Sequence, residues 1–350
     1  ADELGIAAAA EKILNSFRQD AVQTPVGPIQ ITATIGGAGF PCLIQTAHDL
    51  MASAENAMCD AKRLGRNCFA FFEMSEEQRV RQRDYIQIGE QVTKALQEER
   101  VVFAYQPVVT SDTHEVAYYE TLIRMIDEKG EIVSAGAFVP VAERLGLMRQ
   151  IDRYTLEMAI ADLNSDPDIT LALNISSLTA SDRSWLRALV SHVKGKPELA
   201  SRLMIEITET AALDDFEDSA RFVAAVRDLG CKVALDDFGS GYTSFRHLKS
   251  LTVDVVKIDG SFVINLGENP DNLLFIRTLL NLADGFGIKT VAECVQSEQD
   301  AALLKAEGID YMQGFYYGRP QLGRPGAKVA NRKAVASQAA HSVVIGDSLA

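Results

Sequence analysis

Residues 232–245 read KVALDDFGSGYTSF. Val233, Ala234 and Leu235 form a short apolar run of the kind that is buried on both faces of a parallel sheet. The run ends on two carboxylates, Asp236 and Asp237, and then on a segment where Gly239 and Gly241 are free to take unusual dihedral angles. Adjacent carboxylates at a strand end can serve one site if the backbone turns there, and FGSGYTSF is expected to supply that turn.

The same shape recurs on either side. FAYQPVV (103–109), VAYYETLIR (116–124), LALNIS (171–176), LMIEIT (203–208), VVKID (255–259), IKTVAE (288–293) and YMQG (311–314) all read as strands. Amphipathic helices fall between most of them, for example over 214–229 and 272–286. Eight strands in about 220 residues is the size of a compact (β/α)8 barrel, so the fold class is α/β. Residues after Gly323 lose the pattern and read as a flexible tail.

Polar residues interrupt these strands in one place. Glu120 follows VAYY, Asn174 follows LAL, Glu206 interrupts LMIEIT, Asp236 and Asp237 close KVAL, Lys257 follows VV and Glu293 closes IKTVA. In barrel enzymes functional groups gather at the C-terminal mouth. Burying such groups without partners costs several kcal/mol each. Carboxylates converging on one rim repel one another unless protons or cations relieve them. The inference is a carboxylate–amide cage for one or two divalent ions. Salt-bridged strand ends are the plain alternative, but they do not explain why the acids recur at the same end. Taken singly, Lys257 also reads as a rim salt bridge and Asn174 as a cap for the next turn.

The chemistry of the cage follows from its donors. The five cysteines and five histidines are scattered, with no C-x-x-C pair. That argues against a disulfide framework or zinc, favours Mg2+ or Mn2+ on oxygen ligands, and fits a reducing cytoplasm. Two such ions close together suit in-line displacement at phosphorus. The net charge of -14 repels polyanions, and no basic stripe is long enough for a nucleic-acid polymer. A small anion remains an acceptable substrate, because bound cations reverse the local sign. No apolar run approaches the roughly 18 residues of a membrane span, so no membrane contact is expected.

Residues 1–74 have a different rhythm: helix over 8–17, strand over 29–35, helix over 47–64, strand over 68–72. Residues 75–100 are charged, with Ile88, Val92, Ala95 and Leu96 at helical spacing, and read as a linker helix.

With those residues in view, the chain from 101 to 322 resembles the EAL-domain cyclic di-GMP phosphodiesterases. YQPVV, ETLIR, LNIS, EITE, DDFGSGYTSF, VKIDGSF, AECVQ and QGFYYGRP occur in that family's order. The resemblance implies a modified TIM-type barrel whose first strand runs opposite to the rest. It implies one metal on Glu120, Asn174, Glu206 and Asp236, and a second on Asp237 and Glu293 with Asp236 bridging. Lys257 would orient the attacking water, with Glu293 assisting its deprotonation. Glu209 would brace the DDFGSG loop, and Asp259 would share the network of Lys257. Gln106, Arg124, Asp152 and Gln313 match positions that grip guanine and phosphate, a task the Arg124 fork suits physically. The activity implied is hydrolysis of cyclic di-GMP to linear pGpG, with a homodimer as the working form. The alternative is a cyclic di-GMP-binding sensor or scaffold of weak or absent activity.

Three departures bear on that choice. Thr121 stands where the family has Ala, but on a strand it points away from the Glu120 face. Met125 replaces a more usual aromatic, a packing change. Gln296 stands where active members carry a second glutamate, and loss of an outer-shell charge lowers metal affinity by about tenfold or more. Residues 1–74 resemble the C-terminal half of a diguanylate cyclase (GGDEF) domain, through ITATIGGAGFP and LMASAENAMCDAKRLGRNCFAFF. The cyclase hairpin is absent, and Gly36-Gly37 is followed by Ala-Gly-Phe with no acid. The resemblance therefore implies no dinucleotide synthesis by this chain, and a regulatory role for the front segment.

Overall fold

The computed structural model describes residues 3–19, 21–38, 47–72, 76–239 and 245–325. The expected tail after Gly323 lies almost wholly outside them, as do Ser240 and Gly241 of the glycine turn. Two compact units divide between Gln87 and Ile88. That division falls inside one helix, Glu76–Gln97, which accounts for most of the expected linker.

In the first unit, strands Ile35–Gly37 and Phe69–Phe71 pair in parallel, and helix Ala47–Arg63 connects them. Gly36 is obligatory, because a Cβ there would sit 2.1 Å from the Ala54 carbonyl oxygen of that helix. The single strand expected over 29–35 is a correction. Gly27–Ile29 instead forms a hairpin with Val22–Thr24, and residues 30–34 lie in no strand. Extended chain becomes sheet only where a neighbour accepts its hydrogen bonds, and the hairpin and the Phe69 strand satisfy separate ends of this stretch. The first helix is longer than expected, Glu3–Gln19.

The second unit is a closed eight-stranded barrel. Its strands are β1 (Val101–Thr110), β2 (Val116–Ile126), β3 (Leu171–Asn174), β4 (Leu203–Thr208), β5 (Lys232–Phe238), β6 (Val255–Ile258), β7 (Lys289–Ala292) and β8 (Tyr311–Gln313). Neighbours from β2 through β8 pair in parallel. β1 closes the barrel antiparallel to both β2 and β8, as the resemblance implied. The five residues 111–115 between Thr110 and Val116 are too few for a crossover, so β1 and β2 must be a hairpin.

Helices cover the outside. The helix expected over 214–229 is Phe216–Asp228, capped by Asp215, which accepts from the Asp218 N–H; Asp214 instead ends a separate short helix, Glu209–Asp214. Between helices and sheet lies the main core, where Trp185 and Phe222 stack against Leu189, Val223 and their neighbours. Val92 and Ala95 of the linker helix pack on Val101, Met125 and Phe138. Met125 is thus a buried packing residue, as expected.

The barrel interior sets the site. Val108, Tyr118, Ala172, Met204, Ala234, Val255 and Val291, with Tyr311 against them, form one inward apolar layer. Strand periodicity returns a side chain to the same face every second residue. The next inward layer toward the C-terminal mouth is therefore Gln106, Glu120, Asn174, Glu206, Asp236, Lys257, Glu293 and Gln313. Among the described residues no helix is long and apolar enough to cross a membrane.

Candidate active site

Lys257 is the centre of this layer and is fully buried. Its Nζ lies 2.8 Å from Glu206 Oε2, 2.8 Å from Glu293 Oε1, 3.0 Å from Asp236 Oδ1 and 3.4 Å from Glu120 Oε2. It is therefore no rim salt bridge. Asn174 is likewise a member of the cluster and not only a cap, since its Nδ2 donates to Glu120 Oε1 at 2.8 Å. The other Glu120 oxygen accepts from Gln313 Nε2 at 2.6 Å, and the same nitrogen lies 3.1 Å from Gln106 Oε1. Gln106 in turn donates to the Gly318 carbonyl.

Two triads of carboxylates are each close enough to share an ion: Glu120, Glu206 and Asp236, and then Asp236, Asp237 and Glu293. Asp236 belongs to both. Consecutive strand residues face opposite sides, so Asp237 reaches the cluster only by leaving strand geometry. It does so with a φ of +55°, at a register shift between Leu235 and Phe238. The expected turn thus begins on Asp237 itself, one residue before FGSGYTSF. Gly239 follows at φ +103°, with its N–H held by Glu209 Oε2 at 2.7 Å.

The electrostatics are unbalanced. Five carboxylates meet one ammonium, leaving about four negative charges in a low-dielectric interior. Burial pushes Glu293 up to about 8, helped by Asp236 and Glu120 and opposed by Lys257. Asp237 rises to about 6 through burial and then Asp236. Glu206 is raised by burial foremost, with Glu120 and Asp236 adding to it. Glu120 is lowered despite its burial, because Lys257, Gln313 and Asn174 all favour its charged form. The carboxylates hold Lys257 protonated. Glu206 Oε1 is buried without a hydrogen-bond partner, an orphaned oxygen inside an acidic cage. A naked carboxylate oxygen of this kind fits an oxygen-liganded divalent cation.

The remaining expected residues lie farther out. Arg124 is half-buried on β2, donates to its neighbouring Ile123 carbonyl, and feels the charge of Glu120. Asp259 is half-buried and caps the 3-10 turn Gly260–Phe262 that follows β6, where it accepts from the Ser261 N–H and hydroxyl. Asp152 does not join the cluster. It is 2% exposed, and its Oδ2 accepts from the Ser176 N–H, the Ser176 hydroxyl and the Thr179 hydroxyl. Through that oxygen it braces the turn after Asn174. Thr121 points away from Glu120 and donates to the Ala172 carbonyl at 2.7 Å. Gln296 is exposed and lines a separate cleft of about 780 Å3 beside Ile264, Asn265 and Leu303. Ser176 and Thr179 were not singled out from the sequence; the only signal was the Ser that ends LALNIS.

A barrel with a reversed first strand and this ordered rim define a class, and comparison with known proteins agrees. Residues 89–320 match the EAL domain, and the chain belongs to that family. It is 30% identical over 316 residues to MucR of Pseudomonas aeruginosa, a bifunctional diguanylate cyclase/cyclic di-GMP phosphodiesterase, covering 89% of this chain and 46% of MucR. It is 32% identical over 244 residues to PdeF, a cyclic di-GMP phosphodiesterase of Escherichia coli, covering 68% of this chain and 32% of PdeF. The chain thus spans less than half the length of either relative. Among solved structures it is similar to the MucR phosphodiesterase in complex with c-di-GMP, with a TM-score of 0.63 and 28% identity over 68% of this chain and 98% of that one. The FimX EAL domain from Pseudomonas aeruginosa bound to c-di-GMP gives a TM-score of 0.62 at 28% identity, covering 68% and 96%.

Proposed function

We propose that this chain hydrolyses cyclic di-GMP to linear pGpG at the mouth of its barrel, with two divalent cations, Mg2+ or Mn2+. The observation that carries the reading is the pair of carboxylate triads joined through Asp236 around a buried lysine. Glu120, Asn174, Glu206 and Asp236 would hold one cation, and Asp236, Asp237 and Glu293 the other. When bound, such a pair stabilises the attacking and leaving oxygens at phosphorus and lowers the pKa of a water toward about 7.

The protein's own groups do the rest. Lys257 donates hydrogen bonds that orient the attacking water between Glu206 and Glu293. Glu293, made basic by burial, assists its deprotonation. The new P–O bond forms as one bridging P–O bond breaks, and the departing ribose oxygen takes a proton. Arg124 pairs phosphate oxygens with its fork. Gln106 and Gln313 grip guanine edges, and Gln313 Oε1, buried without a partner, is the acceptor available to a guanine N–H. Glu209 steadies the loop after Asp237 through Gly239, while Asp259 keeps the segment after Lys257 in place through Ser261. Asp152 supports the ligand face through Ser176.

Residues 1–74 belong to this reading as a partial cyclase-like segment with a regulatory role, joined by the helix over 75–100 to the barrel over 101–322. A homodimer in the cytoplasm completes it. The free thiols of Cys59, Cys68 and Cys231 suit that compartment. The test is purified protein with cyclic di-GMP and either metal, followed by chromatography. Linear pGpG that disappears in Glu206→Gln is the expected result; no linear product with either metal sinks the proposal.

A further inference from the structure

The opposite end of the barrel carries a second charged cavity. It has a volume of about 710 Å3 and opens among the N-terminal ends of the strands, with one inward apolar layer between it and the carboxylate layer. Lys232 is the first residue of β5 and Lys289 the first of β7, while Arg227 and Lys249 come from the last turns of two outer helices. Tyr118 and Met204, from the apolar layer, also line it.

The charge of this cavity runs against the chain. Acidic residues outnumber basic ones 48 to 34 in the sequence, yet four of the five charged lining residues are basic and Asp254 is the one acid. Two of the cations are neutralised. Arg227 bonds Asp254, which also accepts from the Val233 N–H, and Lys289 bonds Asp310. Lys232 and Lys249 have no ion-pair partner among the described residues, which leaves about two positive charges. Lys249 and Arg227 also suit helix C-termini, but Lys232 begins a strand, where no helix dipole accounts for it. Phe286, 37% exposed, offers a ring face on the same wall, with the Lys249 ammonium 5.8 Å from its centroid and Gly285 and Gly287 flanking it.

We propose that this cavity binds a mononucleotide monophosphate, with Lys232 and Lys249 on the phosphate and Phe286 against the base. A phosphate monoester carries about two negative charges at neutral pH, matching the two unpaired ammoniums. The volume suits a ligand of that size.

The test uses the full chain in EDTA, with AMP as probe so that neither the carboxylate cage nor a guanine grip contributes. Isothermal titration is run with AMP, adenosine and inorganic phosphate on wild type and on the Lys232→Glu/Lys249→Glu double variant. Saturable AMP binding is expected, at least about tenfold tighter than either fragment and at least about tenfold weaker in the variant. Turnover of cyclic di-GMP with metal should be unchanged in the variant, which also shows that it folds. Absent AMP binding, binding unaffected by the double substitution, or phosphate binding as tight as AMP would each overturn the proposal. Because turnover is read separately, failure here leaves the phosphodiesterase reading untouched.

Discussion

Asp236 and Asp237 are neighbours in the chain and share one carboxylate cluster, because Asp237 sits at φ +55° in the left-handed region. A residue held there without glycine's freedom stores about 1 kcal/mol of strain, and such strain persists where it serves a site. The same device follows Glu293, where Cys294 has a φ of +54°.

Replacing Asp237 therefore separates stability from function. Asp237→Gly relieves the strain and removes a ligand, so the metal-free protein should melt at an equal or higher temperature. Second-site metal affinity and turnover should both fall, turnover by about a hundredfold or more. Calorimetry with and without Mn2+, alongside an assay, reads all three; a variant that keeps wild-type turnover would remove Asp237 from the centre.

Lys257 holds the cage together before metal arrives. Lys257→Met leaves the carboxylates with no buried counter-charge, a loss of about 3–5 kcal/mol in EDTA. Saturating Mg2+ should restore most of the melting temperature but not turnover, since the cation replaces the charge and not the hydrogen-bond donor. Recovery of turnover along with stability would count against a role for Lys257 in orienting water.

The pH dependence has a definite sign. Glu293 at about 8 and Asp237 at about 6 lie above their unfolded values, so the folded, metal-free protein binds more protons across that range. The stability these two groups contribute is fully present below about pH 4 and is lost as pH rises through 6 and 8. Glu120, shifted the other way, and Lys257 contribute a constant amount there. Cations compete with those protons, so Mg2+ affinity should climb between pH 6 and 8, and the metal-induced gain in melting temperature should grow with it. A gain that shrinks toward pH 8 would contradict this account.

Gln296 gives a discriminating substitution. It is exposed and lies on another cleft, so Gln296→Glu adds a surface charge worth at most about 1 kcal/mol. Turnover and metal affinity should stay within about fivefold of wild type. A jump of a hundredfold on restoring the acid would mean that the native protein is the weak or inactive sensor.

Sequence alone determined which groups meet. Inward side chains recur with period two, so an acid, amide or ammonium two residues beyond an apolar position on each strand had to form one layer, as Met204 and Glu206 or Val255 and Lys257 do. The reversed β1 was implied by the resemblance to the EAL family, and the antiparallel pairing bears it out. Tertiary structure decided the rest, because it depends on neighbours distant in the chain. Asp237 turns inward only through a backbone angle. Asp152 is tied through one oxygen to Ser176 and Thr179, and residues 30–34 lie in no strand. Whether Lys257 was a rim ion pair or the buried hub of four carboxylates could be read only once β2, β4, β5 and β7 had closed around β6, since local periodicity gives direction but not distance.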